Sequence, residues 1–138
     1  MSKSKGRIVR LAESKNSVLG LDCSSSVIGF GLIDLDTFSL SAYGHIRPLD
    51  NKFELLERLN DTFDRIEELC KTLKPKIVAV EDIFVFMKGM STAKTITILT
   101  AFNRTCGLAA YRNSQKVVLY SVGEIRKTIK NHYKLNKI

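Results

Sequence analysis

Residues 19–34 read LGLDCSSSVIGFGLID, and this stretch decides the fold. An apolar run ends at Asp22, a serine-rich turn follows, and a second apolar run begins. Length and composition predict strands over 17–24 and 27–36, followed by a third over 37–46. The short gaps between them favour antiparallel hairpins. A carboxylate within a strand is costly to bury, so either a ligand offsets that cost or water reaches Asp22.

The rest of the chain predicts helices that alternate with strands. Within 52–75, apolar residues recur at spacings of three and four, which predicts an amphipathic helix ended by Pro75. These residues are Leu56, Leu59, Phe63, Ile66, Cys70 and Leu73. After this helix we predict a buried strand over 76–84 and a helix over 91–113 that is capped by Ser91 or Thr92. A strand over 116–122 and a third, basic helix come next. This order predicts an α/β fold with a five-stranded mixed sheet and helices on both of its faces. The sheet begins with three antiparallel strands and continues with β-α-β-α units.

Composition limits the classes of protein to which the chain can belong. Its 138 residues are 44% hydrophobic and 26% charged, as in one globular domain with a real core. No apolar run approaches the ~20 residues of a membrane span, and the N-terminus lacks the apolar core of a signal peptide. Cys23, Cys70 and Cys106 are odd in number and form no C-x-x-C pair, so neither zinc nor a disulfide framework is expected. We expect a cytoplasmic protein that has no membrane association and needs no small-molecule cofactor.

The net charge of +8 is concentrated at the two ends of the chain. Residues 1–16 and residues 121–138 each contain five basic residues and one acidic residue, while 17–120 contains twelve of each. A basic excess of this kind favours a polyanion partner, nucleic acid first, although a tail that only aids solubility has the same composition. We interpret residues 1–16 as a flexible basic arm and residues 17–138 as the folded domain.

Strand alternation predicts that two acidic side chains meet. Asp22 shares a strand face with Gly20, and Glu81 shares one with Ala79. If these two strands are neighbours, both acids face one roomy pocket near the strand ends, where open α/β sheets place their sites. Mg²⁺ or Mn²⁺ would relieve the repulsion between them and suits phosphodiester cleavage. The alternative, that both acids only cap strand ends or pair with arginines, stays open at this point.

Three motifs resemble the RuvC family of Holliday junction resolvases. LGLDCSSSVIGFGLI resembles the first two strands of that family, VAVEDIF resembles its second motif, and VVLYSVGEIRKTI resembles a later strand that runs into a basic helix. Together they cover most of residues 17–138. The resemblance implies an RNase H-like fold, a homodimer, Mg²⁺-dependent endonuclease activity and binding to four-way DNA junctions.

The resemblance also assigns roles to individual residues. It implies that Asp22 and Glu81 are the first two catalytic, metal-binding carboxylates. Phe84 matches the aromatic residue that engages bases near the junction centre, which suits stacking because every base has a π-face. Arg126 and Lys137 fall near positions where the family has basic residues close to the DNA backbone.

The sequence departs from the family pattern at its C-terminal end. The family has two further acids on a C-terminal helix, whereas no Asp or Glu follows Glu124 here. We therefore expect a nuclease domain truncated at its C-terminus that binds metal poorly and cleaves weakly or not at all. Two alternatives remain: a junction-binding protein of the same fold without catalysis, and a fragment of an actin-like or sugar-kinase ATPase, in which the serine turn would hold phosphates.

Overall fold

The computed structural model describes residues 5–82, 92–114 and 116–121, which form one mixed sheet and two helices. The elements are β1 (Lys5–Arg10), β2 (Ser17–Asp22), β3 (Ile28–Asp34), β4 (Leu40–Arg47), α1 (Leu55–Leu73), β5 (Ile77–Glu81), α2 (Ala93–Asn113) and β6 (Lys116–Tyr120). The strand order is β1-β4-β3-β2-β5-β6. Strands β1 to β4 pair antiparallel, while β2, β5 and β6 run parallel. The predicted succession of hairpins and then β-α-β units is confirmed.

One face of the sheet and the two helices enclose a single apolar core. Leu19 and Leu21 of β2, with Val78 and Val80 of β5, belong to the same buried cluster as residues of α1 and α2. Both described helices therefore pack on this face, which we call the covered face. The opposite face, the open face, carries no helix within the described ranges. The third helix predicted beyond β6 lies outside the described residues.

The prediction of a five-stranded sheet and a flexible arm over 1–16 is wrong for residues 5–10. These residues form β1 and pair with β4 from Lys5 opposite Arg47 to Arg10 opposite Ala42, which makes six strands. Gly6 and Gly44 allow this pairing, because a β-carbon at either position would run into the backbone of the other strand. Charged residues on an edge strand also protect it from pairing with other chains, so the composition of β1 resembles that of an unstructured arm.

The buried stripe of α1 is rotated from the predicted one. Ile66, Cys70 and Leu73 are buried as predicted, but Leu56 is 79% exposed. Arg58 and Thr62 are buried in its place. Periodicity counts only apolar residues, so it missed a buried arginine whose guanidinium finds backbone acceptors in the β2–β3 and β4–α1 connections.

The start of α2 follows its sequence signal. Thr92 is the N-cap residue, and its side-chain oxygen accepts a hydrogen bond from the amide of Thr95 at 3.2 Å. Neither described helix is both long enough and apolar enough to cross a membrane.

Candidate active site

Asp22 and Glu81 end two neighbouring parallel strands. The β2–β5 register pairs Val18 with Ile77 and Gly20 with Ala79, so the next position on the same face brings Asp22 beside Glu81. Asp22 is exposed and Glu81 is half-buried. Both side chains belong to the open face, as the alternation of β2 and β5 predicts. The expectation that these strands are adjacent is confirmed, and water reaches the carboxylate that interrupts the opening stretch.

A shallow cavity of about 370 Å³ surrounds the two acids. Its floor is made of small residues, because Gly20, Gly29, Gly31 and Ala79 lie on the same face of three adjacent strands. A β-carbon built at Gly29 meets nothing within 4 Å, and one at Gly20 meets only a carbonyl oxygen at 3.9 Å. The glycines of β2 and β3 therefore leave space beside the two carboxylates.

The backbone of Glu81 is held from the covered face by α2. The buried Asn103 donates from Nδ2 to the carbonyl oxygen of Glu81 at 2.7 Å. Arg104 donates to the amide oxygen of Asn103 and to Asp82 Oδ1, both at 2.9 Å. The amide of Asp82 donates to the carbonyl oxygen of Tyr120 at 2.6 Å. These bonds fix the point where β5 ends, and with it the direction of the Glu81 side chain.

The serine turn after Asp22 is held by its own hydrogen bonds and by a buried arginine. Ser24 Oγ accepts from the amide of Val27 at 3.0 Å and donates to the carbonyl oxygen of the same residue at 2.6 Å. Arg58 of α1 donates to the carbonyl oxygens of Ser25 and Leu49, at 3.2 and 2.9 Å. Its guanidinium also lies 5.0 Å from the ring centre of Phe102. α1 thus positions the turn that leaves the Asp22 edge of the sheet.

The two carboxylates fit a hard divalent cation. Carboxylate oxygens are the preferred ligands of Mg²⁺, which commonly takes one or two of them together with waters and phosphate oxygens. Over the described ranges no cluster of three or more His, Cys, Asp or Glu side chains could hold an ion. An ion held by Asp22 and Glu81 would have room for further oxygen ligands in the cavity on the open face.

The three cysteines meet in the core although they are far apart in the sequence. All three are free and buried. A hydrogen bond with Cys23 and burial raise the pKa of the Cys106 thiol, while burial and the nearby Glu67 raise the pKa of Cys70 to about 11. The Cys70 and Cys106 thiols therefore stay protonated near neutral pH, and both belong to the apolar core.

Sequence reasoning missed two residues at this site. Tyr120 lies opposite Glu81 in the β5–β6 ladder and lines the cavity. The alternation of KVVLY does place Tyr120 on one face with Val118, but the register that brings it to Glu81 is a tertiary property. Asn103 is buried on the inner side of α2. A polar residue on an apolar helix face was the available signal.

Three of the predicted site residues remain predictions. Phe84, Arg126 and Lys137 lie outside the described residues. Asp82 follows Glu81 directly, so strand alternation places it on the other face from Glu81. It makes a salt bridge with Arg104 at 2.9 Å.

Comparison with known proteins identifies a family that this chain matches. The family model described as crossover junction endodeoxyribonuclease RuvC matches residues 18–138. A RuvC from Fusobacterium nucleatum is 28% identical over 122 residues, which are 87% of this chain and 62% of the relative. A RuvC from Heliobacterium modesticaldum is 35% identical over 81 residues, 57% of this chain and 49% of the relative. The chain thus spans about half to two-thirds of the length of these curated relatives.

Solved structures show the same fold. Thermus thermophilus RuvC in complex with a Holliday junction substrate superposes with a TM-score of 0.65 at 17% identity, covering 88% of this chain and 80% of the other. The yeast mitochondrial Holliday junction resolvase Ydc2 gives a TM-score of 0.59 at 7% identity, covering 90% of this chain and 60% of the other. The predicted RNase H-like fold class is confirmed, with six strands in place of five. Because the RuvC family model matches residues 18–138, which are most of its length, this chain belongs to the RuvC family.

Proposed function

We propose that this protein is a metal-dependent endonuclease that acts on four-way DNA junctions. The observation that carries the proposal is the placement of Asp22 and Glu81 side by side at the ends of parallel neighbours, on an open face floored by glycine. The family match and the net charge of +8 support DNA as the substrate. No observation favours an ATPase or a protein that only binds junctions.

Asp22 and Glu81 have the same task in this proposal. Together they hold Mg²⁺, or Mn²⁺ in its place, near the scissile phosphate. Such an ion supplies Lewis-acid activation of water and stabilises the charge that develops on the phosphate. The glycine floor lets the DNA backbone approach, and the bond from Asn103 keeps Glu81 oriented toward the open face. Two carboxylates hold an ion weakly, so we expect slow cleavage by this chain.

The remaining roles complete the proposal. Phe84 would stack on bases near the junction centre, while Arg126 and Lys137 would contact phosphates. Two active sites are needed to cut opposite strands of a junction, which a homodimer would provide. Two exposed apolar side chains on α2, Leu108 and Tyr111, leave surface for such contacts. Action on cellular DNA would place the protein in the cytoplasm.

Junction selectivity and cleavage test the proposal in one experiment. The full chain is titrated into a labelled four-way junction and into a duplex of equal length without divalent ions, and Mn²⁺ is then added at saturating protein. We expect tighter binding to the junction than to the duplex, followed by slow cleavage. Equal affinity for both DNAs would contradict the junction assignment. A chain that binds junctions selectively, leaves them intact and binds no Mn²⁺ at Asp22 and Glu81 would be the binding-only protein.

Metal binding is tested separately from cleavage. Mn²⁺ broadens NMR signals of nearby nuclei, so amide signals at the ends of β2 and β5 should broaden first during a titration. The Asp22→Asn variant should lose this selectivity. The Asp64→Asn variant is the matched control, because Asp64 is an exposed aspartate of α1. Broadening that begins at another site would overturn the assignment of the two carboxylates.

A further inference from the structure

Strand β1 adds a basic edge to the open face of the sheet. The family match begins at residue 18, so β1 (Lys5–Arg10) precedes the region shared with the family. Lys5 lies opposite Arg47 and Arg7 lies opposite His45 in the β1–β4 ladder. Opposite residues of an antiparallel pair share a face. His45 lies opposite Gly29, which places this whole group on the same side as Asp22.

The basic edge has an unbalanced charge. Lys5, Arg7 and Arg47 are exposed. Like charges directly opposite each other, as in the Lys5–Arg47 pair, destabilise a sheet. Within the described residues, the ion pairs of basic side chains involve Arg10, Arg65, Lys71 and Arg104, and none involves these three cations. A polyanion would remove the repulsion that the described residues leave in place.

The basic edge lies in line with the two carboxylates. Strand register places Asp22 opposite Gly29, Gly29 opposite His45, and His45 opposite Arg7. Three strand spacings of ~4.8 Å put Arg7 about 14 Å from Asp22 across the sheet. Between them lie Gly29, which has no side chain, and the half-buried His45, which is itself part of this edge. A single polymer lying across the open face would reach both ends of this row.

We propose that the basic edge, defined as Lys5, Arg7, His45 and Arg47, binds a backbone phosphate of the DNA whose scissile phosphate lies at Asp22 and Glu81. The inference rests on the proposed function, since it names a second contact for the same substrate. At ~3.4 Å of helix rise per nucleotide, about 14 Å corresponds to roughly four nucleotides. Arginine suits this role because its guanidinium makes two parallel hydrogen bonds to a phosphate.

An edge strand can also be charged only to prevent aggregation. Arg10 separates the two explanations, because it has the same charge on the same strand but the opposite orientation. It lies opposite Ala42, which is buried on the covered face, and its guanidinium is 4.0 Å from Glu13. If charge merely protects the edge, Arg7 and Arg10 are equivalent. If the open face binds DNA, they are not.

Equilibrium binding by the full chain tests the proposal with Arg7→Gln and with Arg10→Gln as the matched control. Affinity for a labelled four-way junction is measured from about 50 to 200 mM salt, where each neutralised phosphate contributes a slope of ~0.9. We expect Arg7→Gln to weaken binding three- to tenfold and to reduce the slope by about one. Arg10→Gln should change affinity by less than twofold. Lys5→Gln combined with Arg7→Gln should reduce the slope further.

The outcomes distinguish a failure of the basic edge as a DNA contact from a failure of the proposed function. If wild-type protein prefers the junction and Arg7→Gln matches Arg10→Gln in affinity and slope, the basic edge is not a DNA contact and the proposed function stands. If wild-type protein has no affinity for junction DNA, both proposals are overturned. Circular dichroism and thermal melting of each variant show whether a loss of binding comes from unfolding. A weakened Arg7→Gln variant that melts with the wild type supports the basic edge.

Discussion

The two faces of the sheet differ in composition although the same strands build both. On β2, Leu19 and Leu21 are 0% and 3% exposed on the covered face. Their neighbours Gly20 and Asp22 occupy the open face and line the cavity. On β5, Val78 and Val80 are buried while Glu81 lines that cavity. Successive side chains of a strand point to opposite faces, so one short segment can serve both stability and chemistry.

The apolar core and the proposed active site therefore lie on opposite faces of the sheet. Burial of apolar area on the covered face supplies most of the stabilising free energy. Around the cavity, the open face carries glycines and two acids, which contribute little packing. Substitutions on the two faces should therefore change different measurements.

The largest effect is expected for Asp22→Asn and Glu81→Gln on the open face. Each substitution removes an anionic metal ligand, so single-turnover junction cleavage in Mn²⁺ should fall by on the order of 100-fold or more. The thermal stability of Asp22→Asn should be nearly unchanged, because Asp22 is exposed. Asp64→Asn should cleave as the wild type does. Cleavage that survives both open-face substitutions would place the chemistry elsewhere.

The next effect is expected for Leu19→Ala on the covered face. Leu19 is fully buried, so truncation should lower the free energy of unfolding by about 2–5 kcal/mol, as measured by urea denaturation. Gly20→Ala tests the adjacent position on the open face, where a β-carbon meets only the carbonyl oxygen of Gly31 at 3.9 Å. It should change stability by less than about 1 kcal/mol. Similar losses for the two variants would contradict the division between faces.

A pH effect is expected from Cys70 on the covered face. Its pKa is raised to about 11, mainly by burial, from an ordinary value of 9.0. A raised pKa contributes stability that is fully present below pH 9 and is lost as pH rises through about 11. A shift of two pKa units corresponds to a loss of about 2–3 kcal/mol in the free energy of unfolding. Urea denaturation between pH 8 and pH 11 should show this loss in the wild type and a shallower one in Cys70→Ala. Equal slopes would contradict the raised pKa.

A smaller effect that links both faces is expected for Asn103→Ala. The variant leaves the carbonyl oxygen of Glu81 without its hydrogen bond from Nδ2. The free energy of unfolding should fall by only about 1–2 kcal/mol, because water can reach the half-buried Glu81. Loss of this positioning bond should also weaken Mn²⁺ binding about tenfold. Asn113→Ala is the control, since Asn113 bonds to Glu67 and Ala109 at the other end of α2. It should leave Mn²⁺ affinity unchanged. If Asn103→Ala changes stability alone, Asn103 is only structural.

Prediction from the sequence succeeded where the pattern was local. Alternation around Asp22 and Glu81 identified their face, and the succession of strands and helices identified a mixed sheet, because both follow from backbone geometry. Prediction failed where a distant partner decided the outcome. The buried stripe of α1 includes Arg58 because acceptors at Ser25 and Leu49 lie within reach. Strand β1 forms because Gly6 and Gly44 let two backbones approach.

The sequence by itself determined the strand that ends at Asp22, the strand that ends at Glu81, and the small residues beside them, since these properties are encoded within a few residues. Only the tertiary structure decided that Tyr120 lies opposite Glu81, that Asn103 holds its carbonyl oxygen, and that Arg7 lies in line with Asp22 across the sheet. The physical reason is strand register. Hydrogen bonding between strands fixes which residues are neighbours, and no single segment contains that information.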